Sequence, residues 1–360
     1  DVVVIGERIR AARKADGLNQ RQLAQRIGLS AMAVSKYESG KLVPGSAVLL
    51  QIAEAVNLPV DYFLRPTPPL NVRPQYRKTH KVTAKVQARI EAKVAEWLER
   101  YFAVEALFPT SRPSGFHIPS DVSPAIHEVE EAEQVAVELR QAWELGLDPI
   151  SSMVDLLEEH GVRVGQIEEV PGFDALAFWA QDDQPVIVVA RNTPGDRQRF
   201  SMAHELGHIV LRMVNDVDEE KAAHRFAAAF LAPRSVVYRE MGERRKAISP
   251  QELLLLKHKY GMSMQAWIFR AHDLRIVTDA VFRQWMIEFH RRGWHKEEPG
   301  PEISAEQPHR MERLVQRALA EGLISLSRAA ELLGLPLGEI QALTPLGRPL
   351  PDSGTIHHQA

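Results

Sequence analysis

His204, Glu205 and His208, in the run His204-Glu205-Leu206-Gly207-His208, are the residues best suited by type and spacing to carry out chemistry. Two histidines four residues apart project from the same side of an α-helix, so both imidazoles can reach one metal ion. Glu205, one position on, is offset around the helix and can face a metal-bound water. Zinc lowers the pKa of such a water to about 7, and a neighbouring carboxylate can take its proton during attack on a peptide carbonyl. The alternative is a surface helix that carries three such residues by accident. Phe200, Met202, Ala203, Leu206, Ile209, Val210 and Leu211 supply apolar flanks that favour a buried helix instead. His204 and His208 are therefore expected as metal ligands and Glu205 as the catalytic base.

A hydrolytic zinc site needs a third protein ligand. The segment from Asp218 to Pro233 supplies candidates on an alanine-rich run of high helical propensity, stopped by the proline. Glu220 and His224 lie one turn apart there. Glu220 is expected as the third ligand, and His224 as a group that orients a ligating histidine from behind. Glu219 is the alternative third ligand, and direct ligation by His224 is a further one. A fourth position left to water makes such a site catalytic. Three N/O ligands with an open position suit Zn2+, with manganese and iron as the other metals compatible with the set.

The run Arg199 to His208, followed by Glu220 and by Arg225 to Pro233, resembles the ImmA/IrrE metallopeptidase family. The resemblance implies a gluzincin-like site with His204, His208 and Glu220 as ligands and Glu205 as general base. It also implies a substrate class: a DNA-bound repressor protein, cut so that its target genes are released. The family usually shows Glu-x-Glu-Ala-Asn ahead of the Phe-Ala pair. Here the first glutamate is Glu220, while Ala222 stands for the second and His224 for the asparagine.

The elements needed to position these groups are legible nearby. Val162–Val164, Ala175–Ala180 and Pro185–Ala190 are short β-prone runs separated by Pro-Gly and Asp-Asp turns, expected to form a small sheet beside the metal helix. Pro194-Gly195-Asp196 is expected to supply a turn and a capping residue ahead of that helix. Residues 125–145 read as helix, as do residues 250–260 and 263–272. Residues 80–108 read as one long helix with an apolar stripe through Val82, Val86, Ile90, Val94, Trp97, Leu98 and Tyr101.

Residues 6–64 read as five short helices. Within them Leu23, Ala24, Ile27, Val34 and Tyr37 have the spacing of two helices packed across a tight turn, with Gly28 in the turn and Ser30 as a cap. That is a helix-turn-helix, whose second helix enters the major groove. The segment resembles the lambda-repressor-like, XRE-family DNA-binding domain, including Glu38-Ser39-Gly40-Lys41 and Pro44. The resemblance implies that Ala31, Met32, Ser35 and Lys36 face bases and that Gln20, Arg21 and Lys41 lie near phosphates. Apolar Ala31 and Met32 suit thymine methyl groups. A helical protein-interaction module is the competing reading.

Composition sets bounds. The 360 residues are 45% hydrophobic and carry a net charge of −3, with a basic stretch over 73–93 and an acidic one over 128–144. Complete absence of cysteine removes disulfides and thiolate metal sites, leaving His and Glu as ligands. No apolar run spans a bilayer and no signal-peptide pattern is seen, so a cytoplasmic protein without membrane association is expected. The expected architecture is mainly α with a small β-sheet: a DNA-binding domain over 1–66, a linker and long helix over 67–124, a metallopeptidase domain over 125–278, and a helical C-terminal region over 279–360. The segment 323–336 echoes a helix-turn pattern and reads as a packing or dimerisation unit. The expected partners are double-stranded operator DNA, a protein substrate such as a repressor, and a second copy in a homodimer. The other readings are a non-catalytic regulator using the metal domain as sensor or scaffold, and the DNA-binding component of a toxin–antitoxin operon.

Overall fold

Five short helices open the chain, and their ends follow from polar residues at the expected places. They are α1 (Val2–Ala15), α2 (Gln20–Arg26), α3 (Ala31–Glu38), α4 (Ser46–Ala55) and α5 (Val60–Leu64). The structure is a computed structural model, and it describes residues 2–66, 69–70, 72, 83–109, 115–168, 172–180 and 184–343. Asn19 caps α2 by accepting from the Gln22 amide, while the Gln22 side chain accepts from the Asn19 amide. Ser30 caps α3 by accepting from the Ala33 amide. Between them Gly28 turns the chain at φ 67°, a conformation that costs little only without a Cβ. Ile9, Leu23, Val34, Ile52 and Phe63 are fully buried between these helices. Beside this core, Glu38 is buried in an ion pair with Arg13 and also accepts from Gln20.

The long helix α6 spans Ala84–Glu105 and buries Ile90, Val94, Leu98 and Tyr101. It is shorter than the expected 80–108 at its end, where residues 106–108 form a turn on Phe102, Val104 and Glu105 carbonyls. Residues 80–82 lie outside the described residues.

The segment expected as helix over 125–145 begins otherwise. β1 (Ala125–Ile126) pairs in parallel with β5 (Arg212–Met213), a 3-10 turn covers Val129–Glu131, and only then does α7 (Ala132–Ala142) start. Ladder bonding is the reason: the Pro124 and Ile126 carbonyls accept from the Arg212 and Val214 amides, which a helix would have forbidden. Next come α8 (Met153–Glu159), β2 (Arg163–Ile167), β3 (Ala175–Ala180) and β4 (Gln184–Ala190). Their order is β2-β4-β3, with β4 parallel to β2 and antiparallel to β3. Central β4 is buried from Pro185 to Ala190, which explains its uninterrupted apolar sequence.

α9 (Gly195–Val210) packs on β3 and β4 and carries the His-Glu pair. α10 (Glu219–Leu231), α11 (Arg234–Met241), α12 (Pro250–Tyr260), α13 (Met264–Asp273) and α14 (Asp279–Arg291) complete this part. Glu133 on α7 is sandwiched between Arg270 of α13 and Arg225 of α10. Burial pushes its carboxyl up, but the hydrogen bonds and charge of Arg270, with Arg225, outweigh burial and hold it below the usual carboxylate range.

The last helices are α15 (Arg310–Ala320), α16 (Leu326–Leu333) and α17 (Leu337–Leu343). Val315, Leu319, Ala329, Leu332 and Ile340 bury themselves against Val104 of α6. Arg65 pairs with Glu331, and Arg100 donates to the Leu332 carbonyl.

The chain therefore gathers into two compact units. One takes its residues from Asp1–Val72, Gln87–Arg112 and His309–Ala360, the other from Arg73–Val86 and Pro113–Pro308. This partition differs from the boundaries read in the sequence. α14, through Trp285 and Phe289, belongs to the core around the metal helix, whereas α15–α17 belong with α1–α6. Among the described residues no helix is long and apolar enough to cross a membrane.

Candidate metal centre and nucleic-acid interface

The approach of α9 to α10 depends on Gly207. A Cβ there would lie 3.2 Å from Phe226 Cδ1 and 3.3 Å from Ala223 Cα, tighter than ordinary packing. With hydrogen at Gly207 and a methyl at Ala223, the helices close until the first turn of α10 faces the imidazoles of α9. Asp218 fixes where that turn begins, accepting from the Lys221 amide.

Four expected residues meet at this crossing. His204 Nε2 lies 3.1 Å from His208 Nε2 and 3.3 Å from Glu220 Oε2, and His208 Nε2 is 3.6 Å from Glu220 Oε1. All three groups are half-buried and offer ligand atoms within 4.8 Å of one another. Zinc bonds of about 2.0–2.2 Å give a tetrahedron with edges of about 3.3–3.6 Å, so the spacing and donor types suit such an ion. Glu205 sits beside the cluster, 8% exposed, and accepts from the Ala177 amide of β3. Burial, reinforced by Glu220 and offset by His204, pushes its carboxyl up to about 7.

The groups behind the ligands are arranged differently from the sequence expectation. Glu219, considered as an alternative ligand, has its Oε1 3.1 Å from His208 Nδ1, on the far side of that ring from the cluster. His224, expected to orient a ligating histidine, lies ring against ring on His204, with centroids 4.5 Å apart, and next to Phe200. Burial pulls its pKa down to about 4, helped by His204, so the ring is neutral near pH 7. His204 Nδ1 is buried without a hydrogen-bond partner among the described residues.

The start of the metal helix is held by residues 303–306, which the sequence did not mark. Among the described residues no side chain caps α9, and Asp196, expected as that cap, pairs with Lys257 at 3.1 Å instead. The Gly195 amide donates to the Ile303 carbonyl at 2.7 Å. Glu306 accepts from Arg199 and from the Val154 amide, while its backbone exchanges two bonds with the Gln198 side chain. The signal was one glutamate among several in an irregular stretch, which no periodicity marks.

On the helix-turn-helix, α3 presents Met32, Ser35 and Lys36 to solvent, with Ala31 half-buried. Met32 is 69% exposed. Arg21 and Lys41 are exposed as well. Gln20 differs, because its amide donates to Glu38 at 2.8 Å.

A helix-turn-helix unit and a unit of metallopeptidase-like fold are thus joined in one chain. Residues 9–63 match the family described as Helix-turn-helix, and residues 157–272 match the IrrE N-terminal-like domain. An uncharacterized transcriptional regulator in the ATPase CF(0) region of Rhodospirillum rubrum is 42% identical over 59 residues, 16% of this chain and 55% of that protein. The cryptic phage CTXphi transcriptional repressor RstR of Vibrio cholerae is 40% identical over 57 residues, 16% of this chain and 51% of its own. The uncharacterized HTH-type transcriptional regulator YazB of Bacillus subtilis is 33% identical over 61 residues, 17% of this chain and 88% of its own. The chain spans about half the length of the first two of these relatives. It belongs to the XRE-type helix-turn-helix transcriptional regulators and carries an ImmA/IrrE-like domain in addition.

Proposed function

We propose that this protein is a DNA-binding transcriptional regulator whose second unit is a zinc-dependent endopeptidase that cuts a regulatory protein, such as a repressor. It would act in the cytoplasm as a homodimer on operator DNA, as helix-turn-helix proteins commonly do. The observation that carries the peptidase reading is the convergence of His204, His208 and Glu220 with buried Glu205 alongside. The repressor and regulator names of its relatives support the DNA reading.

His204, His208 and Glu220 would hold the metal, which when bound polarises a peptide carbonyl and makes water a nucleophile near pH 7. Glu205 takes the proton from the attacking water and passes it to the leaving amine. Its bond from Ala177 keeps the carboxylate in place, and the apolar packing around α9 limits competing water. Ala31, Met32, Ser35 and Lys36 would read bases, with Arg21 and Lys41 on phosphates.

Glu205→Gln separates this mechanism from a metal-dependent sensor without turnover. A neutral amide cannot accept the proton, so cleavage should fall about 10²–10⁴-fold while metal content stays at the wild-type level. Induction of target genes is compared in cells carrying wild type, Glu205→Gln and His204→Ala. A peptidase requires both variants to fail alike. Normal induction by Glu205→Gln, with loss in His204→Ala, would replace the peptidase by the sensor.

A further inference from the structure

Consecutive glutamates at the start of α10 address opposite sides of one imidazole. Glu220 Oε1 lies 3.6 Å from His208 Nε2, and Glu219 Oε1 lies 3.1 Å from His208 Nδ1. A neutral imidazole has one N–H and one lone pair, and a carboxylate only accepts. The Glu219 contact therefore places the hydrogen on Nδ1 and turns the Nε2 lone pair toward His204 and Glu220. Both partners are sheltered, with side chains 18–19% exposed, so water competes weakly for that bond. Helical geometry permits the division of labour, since adjacent residues diverge by about 100° around the axis. The first turn of a helix also favours negative charge.

We propose that Glu219 is the positioning residue of the metal site: it donates no ligand atom but fixes the His208 ring and tautomer for ligation through Nε2. The proposal rests on the metal-site reading above and deepens it. It also makes the two histidines unequal. His208 is held by a carboxylate, whereas His204 is placed by ring packing against His224, its Nδ1 without a hydrogen-bond partner among the described residues.

The test uses the full-length metal-free protein, titrated with Zn2+ against a competing chelator, and a parallel Co2+ titration read by its visible absorption. Glu219→Ala should weaken metal binding about 10–100-fold, the usual effect of removing a group that orients a ligand. Its Co2+ spectrum should keep the wild-type shape, because the ligand set is unchanged. Glu219→Gln keeps a side-chain carbonyl that accepts from Nδ1–H and should recover most of the affinity. In the metal-free protein, long-range 1H–15N spectra should report His208 protonated on Nδ1, and mixed tautomers in Glu219→Ala. Unchanged affinity in Glu219→Ala overturns the proposal, as does a Co2+ spectrum altered in the manner of Glu220→Ala, which would make Glu219 a ligand. Wild-type affinity in both His204→Ala and Glu220→Ala would sink the metal-site reading itself, and the proposal with it.

Discussion

Two polar residues of the helix-turn-helix that look alike in sequence have different work to do. Lys36 is exposed on α3, and among the described residues its ammonium has no hydrogen-bond or ion-pair partner. Gln20 is bonded to Glu38, which is buried and paired with Arg13. Lys36→Ala should therefore weaken operator binding and reduce the slope of log affinity against log salt, by about one if the contact is to phosphate. If it reads a base edge, discrimination at one position should fall by about 1–3 kcal/mol. Either way its melting temperature should match wild type. Gln20→Ala should cost stability first, since a hydrogen bond to a charged group contributes about 1.5–3 kcal/mol. Binding isotherms at several salt concentrations, with melting curves of the same proteins, check both. An unaltered affinity and salt slope for Lys36→Ala would remove α3 as the reading element.

At the scale of elements, Gly207 decides how near α10 comes to α9. Gly207→Ala improves the helix propensity of α9 by about 0.5–1 kcal/mol. It must also push Ala223 and Phe226 back by a few tenths of an ångström, carrying Glu219 and Glu220 with them. Metal sites tolerate only about 0.5 Å of such movement, so affinity for Zn2+ should fall by about tenfold. Equal affinity in the alanine variant would mean the crossing has slack. This coupling also marks what the sequence could convey. His204, Glu205, His208 and Glu220 were legible because helical periodicity turns spacing into proximity, and the three strands because their β-branched runs are bounded by turns. Glu219 and Glu220 could not be told apart because i, i+1 neighbours differ only in azimuth, which depends on how α10 is rotated against α9, and the same rotation lays His224 on the His204 ring. The two-residue β1 escaped notice because its stabilisation comes from a partner 87 positions away, at Arg212.

Across the whole molecule, periodicity identified each long amphipathic helix but not which helices share a core. The stripe on α6 was visible, and its cover was not, because that cover arrives from residues more than 200 positions later. Val315, Leu319, Ala329, Leu332 and Ile340 of α15–α17 form a small cluster that closes on α6 through Val104. Arg65–Glu331, Arg310–Glu105 and the Arg100 bond to Leu332 tie the same helices to α5 and α6. These helices should then melt with the N-terminal unit and not as a separate module. Leu332→Ala tests this, since truncating a buried leucine costs about 2–5 kcal/mol and the loss falls on whichever unit shares that core. Amide exchange of the full-length protein should accelerate at Leu98, Tyr101 and Val104 of α6, the helix on which that cluster closes. It should stay unchanged at Met202 and Phe226 beside the metal residues, because independent cores do not share a destabilisation. Faster exchange confined to residues 310–343 would show instead that the C-terminal helices fold on their own, and the pairing of Leu332 with the DNA-reading unit would have to be abandoned.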